Sequence, residues 1–206
     1  MIISYHGKAF IKVQQGDLVA AFNPPSKESN FKASRFGADL AMISINHKDF
    51  NGAEAVSYAN KTPFIIEGPG EYEIGGNFIL GLSSEGPGGL INTIYTFVID
   101  GIRFCHLGAL TNAELKGEIN EEIGVVDVLC VPIGGDGTLK PKEAFKLANS
   151  LEPKIIIPVM YDEGEEDLKT FLKEAGVSAN SAVDKLILKR KDLEGKEGEV
   201  IVVKVS

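Results

Sequence analysis

The side chains that usually carry metal and acid–base chemistry are scarce in this chain. Among its 206 residues there are three histidines (His6, His47, His106), two cysteines (Cys105, Cys130) and no tryptophan. Any soft-metal site has very few ligands to draw on. His47 and Asp49 stand two residues apart in Asn46 to Gly52, a loop leaving a predicted strand. Polar residues at the carboxyl end of a buried strand are where α/β folds often place their chemistry. His106 closes another predicted strand. An unperturbed imidazole titrates near neutrality and suits a general base, but no nucleophile is identifiable beside it. His6 lies near the first turn and reads as a surface or turn residue. Cys105 and Cys130 are isolated in apolar, strand-like runs and read as buried reduced thiols rather than a disulfide or redox pair. Gly134-Gly135-Asp136-Gly137-Thr138 resembles a phosphate turn only loosely, because it lacks the Lys-Ser/Thr of a P-loop. Lys189-Arg190-Lys191 is basic but short and reads as a solvated turn.

The elements that must position these residues follow from patterning. Ile2 to Tyr5, Ala9 to Val13 and Leu18 to Phe22 are apolar or alternating runs punctuated by Gly7 and Gly16, which predicts an antiparallel meander. Asn23-Pro24-Pro25 stops the third strand, and the segment through Phe36 is polar and loop-like. Strands are predicted over Leu40 to Ile45, Phe64 to Ile66, Tyr72 to Ile74 and Phe78 to Leu82. Residues 83–91 are Gly- and Ser-rich and read as a mobile loop. Thr93 to Ile99 and Ile102 to Leu107 flank Asp100-Gly101, a two-residue hairpin signal. Helices are predicted over Asn112 to Ile123, over Pro141 to Leu151 with proline in the first turn, and over Glu165 to Ala175 with Gly176 just past its end. Buried strands are predicted over Val125 to Ile133 and Ile155 to Val159, and closing strands over Leu186 to Lys189 and Val200 to Val205. Strands first, then strands alternating with helices, suit two sheets covered by helices in one α/β domain spanning 1–206.

Composition narrows the partners. The chain is 44% hydrophobic and 24% charged, which is soluble and globular. With 21 Lys/Arg against 29 Asp/Glu the formal charge is −8, so no net field attracts duplex DNA or an anionic membrane. The N-terminus shows no basic segment followed by an apolar run, and no stretch approaches the ~18 apolar residues needed to span a bilayer. A cytoplasmic protein without nucleic-acid or membrane partners is expected.

Several segments, in order, resemble the metallo-β-lactamase fold superfamily, in particular its branch of Zn-dependent hydrolases that includes the ascorbate-phosphate lactonases. They are the opening Ile2 to Val13 with Gly7, the stretch from Ala41 to Asn51, and Gly68-Pro69-Gly70-Glu71-Tyr72-Glu73. Asn92-Thr93-Ile94-Tyr95 follows, with Asp100-Gly101-Ile102-Arg103, Cys105-His106-Leu107-Gly108, Val131-Pro132-Ile133-Gly134-Gly135 and Ile156-Ile157-Pro158. The likeness covers residues 1–161. It implies a four-layer αββα sandwich with its site on the edge where the two sheets meet.

The resemblance also implies a dinuclear metal site built on His-x-His-x-Asp-His after a strand, completed by a His, a bridging Asp and a last His from later loops. Imidazole and carboxylate bind zinc, and alternate residues on an extended loop converge on one side. Here the motif reads Ile45-x-His47-x-Asp49-Phe50. The downstream His falls in Ser83 to Gly89, which has none. The bridging position is Ala109, and Met160 is the best match to the last His. Two of seven ligands, His47 and Asp49, stand at family positions, and in the family these two positions serve different metals. Catalytic zinc normally takes three protein ligands. Apolar residues are the stable replacement once a cation is absent, because uncompensated carboxylates are costly to bury. The expected function is a binding or structural module, without a cofactor, for a small molecule or protein partner, with a homo-oligomer or a pairing with an active paralogue open. The alternative is a metal-dependent hydrolase with an altered or mononuclear site, using zinc or another divalent metal held by His47, Asp49 and His106, with Asp136 or Asp162 as further ligands. The plainer reading of the pair is that Asp49 hydrogen-bonds its own loop and His47 is a satisfied polar residue.

Overall fold

The computed structural model describes every residue of the chain except 33, 59, 136, 162–165 and 179–181. The opening runs form the expected meander: β1 (Ile2–Tyr5), β2 (Ile11–Gln15) and β3 (Leu18–Phe22) pair antiparallel in sequence. β4 (Leu40–Ile43) and β5 (Phe64–Glu67) then join in parallel, each after a long crossover of the kind parallel pairing demands. β6 (Gly70–Ile74), β7 (Asn77–Glu85), β8 (Ile91–Ile99) and β9 (Ile102–His106) form a second meander, turned at Asp100-Gly101 between the last two. From there strands alternate with helices: α1 (Gly117–Ile123), β10 (Val128–Pro132), α2 (Pro141–Ser150), β11 (Ile155–Val159) and α3 (Glu166–Glu174). The short strands β12 (Leu186–Ile187) and β13 (Glu199–Val200) finish one sheet each.

The result is a six-stranded sheet ordered β12-β1-β2-β3-β4-β5 facing a seven-stranded sheet ordered β13-β11-β10-β9-β8-β7-β6. The core between them takes Tyr5, Phe22, Leu40 and Met42 from the first sheet and Tyr95, Phe97, Phe104 and Ile157 from the second. The α-helices cover the outer face of the seven-stranded sheet, where Leu147 and Phe171 meet Leu129 and Val131. This is the expected αββα order of layers. The fourth layer is thin: over Val19, Ala21 and Ala41 it consists of a 3₁₀ turn, Ala53–Val56, with Phe10, Ala38 and Phe36.

Some boundaries depart from the sequence expectation. Residues 83–91 are ordered: the β7–β8 ladder continues through Ser83↔Thr93 to Glu85↔Ile91, and a 3₁₀ turn at Pro87–Gly89 closes it. The predicted helix over Asn112 to Ile123 begins only at Gly117, because the Asn112 side chain accepts the Glu114 N–H at 2.8 Å, a local turn that competes with helix. Past β13 the predicted strand does not continue as a ladder among the described residues: Ile201 N–H still donates to the Ile156 carbonyl at 2.9 Å, and isolated bridges join Val183↔Val203 and Tyr5↔Val205. Cys105 and Cys130 are free and buried, and they face different cores on opposite sides of the seven-stranded sheet. Burial pushes the Cys105 thiol up to about 12, as expected of an inert thiol. Among the described residues no helix is long and apolar enough to cross a membrane.

Candidate functional site

The carboxyl ends of β3, β4, β9 and β11 meet along one edge of the sandwich, and hydrogen bonds stitch the sheets together there. The Thr93 N–H donates to the Ser44 carbonyl at 2.7 Å, the Tyr95 hydroxyl to the Ile43 carbonyl at 2.9 Å, and the Met160 N–H to the Lys8 carbonyl at 3.0 Å. The loop after β4 sits on this edge. It is wound by bonds from Phe50 N–H (2.8 Å) and Asn51 N–H (3.0 Å) to the His47 carbonyl.

That winding separates the two retained family positions. The His47 side chain is exposed, and its Nδ1 accepts the Asp49 N–H at 3.3 Å. Asp49 turns inward and is only 8% exposed. Its carboxylate does not bond its own loop. Oδ1 accepts the Ser29 hydroxyl at 2.5 Å, and Oδ2 lies 3.8 Å from the Lys8 ammonium.

Ser29 belongs to an irregular segment between β3 and β4 that lies across this edge. The Phe31 ring packs on Gly7, where a β-carbon would come within 2.3 Å of it. Phe36 stacks on Phe10 at 5.6 Å and lies 5.3 Å from the His6 ring. His6 is therefore not a surface residue: it is buried between Phe10 and Phe36, and loss of hydration pushes its pKa down. Ser29 also accepts the Phe31 N–H at 3.0 Å, so one hydroxyl ties the segment to Asp49. Ser29→Ala is expected to cost about 2 kcal/mol, the loss of a bond to a charged acceptor. Thermal unfolding would register that as a drop of about 4–8 °C, and an unchanged midpoint would show that the tie is idle.

The positions where the resemblance implies further ligands are apolar and covered. Ile45, Phe50, Ala109 and Met160 are each at most 3% exposed, and all four belong to the core between the sheets. Gly86, in the segment that would offer the downstream histidine, lies so close that a β-carbon there would stand 2.9 Å from Ile45 Cδ1. The side chain of Ile45 thus closes the space from which that ligand would reach inward.

His106 is near these residues but committed. Its Nδ1 accepts the Gly108 N–H at 2.9 Å, so Nε2 carries the proton and meets the Ala9 carbonyl at 3.0 Å. The ring stacks on Phe22 at 5.5 Å, is fully buried, and has its pKa pushed down to about 4 by burial. It has no lone pair free for a metal and no exposed nitrogen for a substrate proton. Asp136 and Asp162 lie outside the described residues. Among the described residues no three His, Cys, Asp or Glu side chains come together as a metal-holding group. Among the described residues the donors do not fit a dinuclear centre: one carboxylate is engaged inward, one imidazole points to solvent, and Ile45, Phe50, Ala109 and Met160 put apolar side chains at four of the remaining positions.

The two facing sheets, helices on the outer face, and loops converging on one edge define a metallo-β-lactamase-type α/β sandwich. The chain belongs to the β-lactamase superfamily: the family model described as beta-lactamase superfamily domain matches residues 2–160. A crystal structure of a Thermotoga maritima protein of the metallo-β-lactamase superfamily superposes with a TM-score of 0.79 at 30% identity, covering 98% of this chain and 97% of that one. A Thermococcus onnurineus protein named as a UPF0173 metal-dependent hydrolase is 29% identical over 158 residues, 64% of this chain and 70% of the relative. One from Listeria innocua with the same family name is 27% identical over 199 residues, 79% and 86% of the two chains.

Proposed function

We propose that this chain keeps the metallo-β-lactamase scaffold without the dinuclear metal centre and works as a binding or structural module. The observation that carries the reading is the burial of Ile45, Phe50, Ala109 and Met160 in one apolar core at positions where the resemblance implies metal ligands. An open cleft of about 370 Å³ is bordered by Ser83, Glu85, Leu110, Asn112, Leu115 and Ile119, and these apolar residues belong to the cluster on the helix-covered side of the seven-stranded sheet. It offers an amphipathic surface for a small molecule or a peptide segment.

The competing reading, a metal-dependent hydrolase with an altered or mononuclear site, draws on the names of the relatives and on His47 and Asp49. Metal content separates the two. Protein purified without chelator is expected to hold far less than one zinc, manganese or iron per chain. A cation present at a hundred times its Kd would stabilise a real site by about 2.7 kcal/mol. In a chain of this size that is a rise of about 5–10 °C in the unfolding midpoint. Added Zn²⁺ is expected to produce no such rise. Near-stoichiometric metal that disappears in His47→Ala would overturn the proposal in favour of the hydrolase.

A further inference from the structure

We infer that the Lys8 ammonium supplies to Asp49 the positive charge that a divalent cation would supply at this edge of the fold. The inference rests on the metal-free reading above. Burying a carboxylate is costly unless hydrogen bonds and a countercharge compensate it, and Asp49 is buried. Ser29 provides the hydrogen bond on Oδ1, and Lys8 Nζ stands 3.8 Å from Oδ2.

The placement of Lys8 is built into the backbone. Its carbonyl accepts two bonds, from the Met160 N–H at 3.0 Å and from the Tyr5 hydroxyl at 2.8 Å. Lys8 and Met160 have φ of 52° and 60°. Residues with a β-carbon hold that left-handed conformation only where their surroundings fix it. Through its main chain Lys8 is therefore tied to Met160, and through its side chain to Asp49. These are two of the positions that a metal would otherwise connect. The Lys8 side chain keeps 33% of its surface exposed while that of Asp49 keeps 12%, so the lysine reaches the buried carboxylate from the solvent side.

A double-mutant cycle on the full chain tests this, using Lys8→Met, Asp49→Asn and the pair. Lys8→Met is expected to lower the unfolding midpoint by about 3 °C. The same change in the Asp49→Asn background is expected to cost less than half as much, because the partner charge is already gone. Lys8→Arg is expected to recover most of the loss. Additive effects of the two single changes would overturn the inference. If Asp49→Asn does not fold, equal losses in Lys8→Arg and Lys8→Met would overturn it, and recovery by arginine would support it. Failure here is distinct from failure of the metal-free reading. Metal found in the native chain removes that reading, whereas additivity in a chain without metal removes only the role of Lys8.

Discussion

Replacing Asn92 with alanine is expected to destabilise the fold by about 3–5 kcal/mol, the range in which buried polar networks fail when one member is removed. Asn92 is fully buried near the start of β8 and holds the turn that follows β9. Its Oδ1 accepts the Ala109 N–H at 2.7 Å, and its Nδ2 donates to the Leu107 carbonyl at 2.9 Å and the Ser84 hydroxyl at 2.8 Å. Gly108 lies inside this clamp at φ 66°, and a β-carbon there would come 2.3 Å from Asn92 Oδ1. No other residue type fits the turn while Asn92 is in place. Alanine at position 92 takes away the partners of Ala109 and Leu107, each loss worth about 1–3 kcal/mol for a buried group. Asn92→Asp keeps an acceptor for Ala109 but turns an oxygen toward the Leu107 carbonyl, so it is expected to fare no better. Urea unfolding of the three proteins measures this directly. A loss below about 1 kcal/mol in Asn92→Ala would show that the clamp is dispensable.

The same turn shows what could be read from sequence and what could not. Strands whose own residues alternate or run apolar were legible, as was the hairpin at Asp100-Gly101, because the signal lies inside the element. Residues 83–91 read as a loop because Ser and Gly are poor strand formers. Their strand character comes from pairing with β8, which local propensity does not carry. The family motif gave the positions Ile45, His47, Asp49, Phe50, Ala109 and Met160, but only the fold shows that His47 and Asp49 diverge. Ser29 and Lys8 carried no signal. One is a serine in a polar segment and the other a lysine beside a glycine, and both gain a role only because tertiary packing brings them to Asp49. His6 reads as a turn residue by its neighbour Gly7, yet Phe36, distant in sequence, covers it.

Acidification is expected to weaken the protein through His106. The unfolded chain takes up a proton at this residue near the ordinary histidine pKa of 6.5, whereas the folded chain does so only at about 4. Between those values the unfolded state binds more protons, so stability falls as pH falls. The contribution of the neutral ring is complete above 6.5 and is lost progressively down to about pH 4, amounting to about 3 kcal/mol in total at 1.36 kcal/mol per unit. His6, also pushed down by burial, adds a loss of the same sign. Urea unfolding measured from about pH 7.5 to about pH 4.5 should show the slope, and His106→Asn should flatten it. Asparagine can accept the Gly108 N–H in place of Nδ1 but does not titrate. Equal slopes in the two proteins would place the acid sensitivity elsewhere. The physical reason for expecting His106 to dominate is that its ring is stacked on Phe22 and bonded at both nitrogens. Protonating Nδ1 would turn the acceptor of the Gly108 N–H into a second donor facing it. The imidazole at this edge is thus held as a neutral core residue, and acid breaks the turn that Asn92 clamps from the other side.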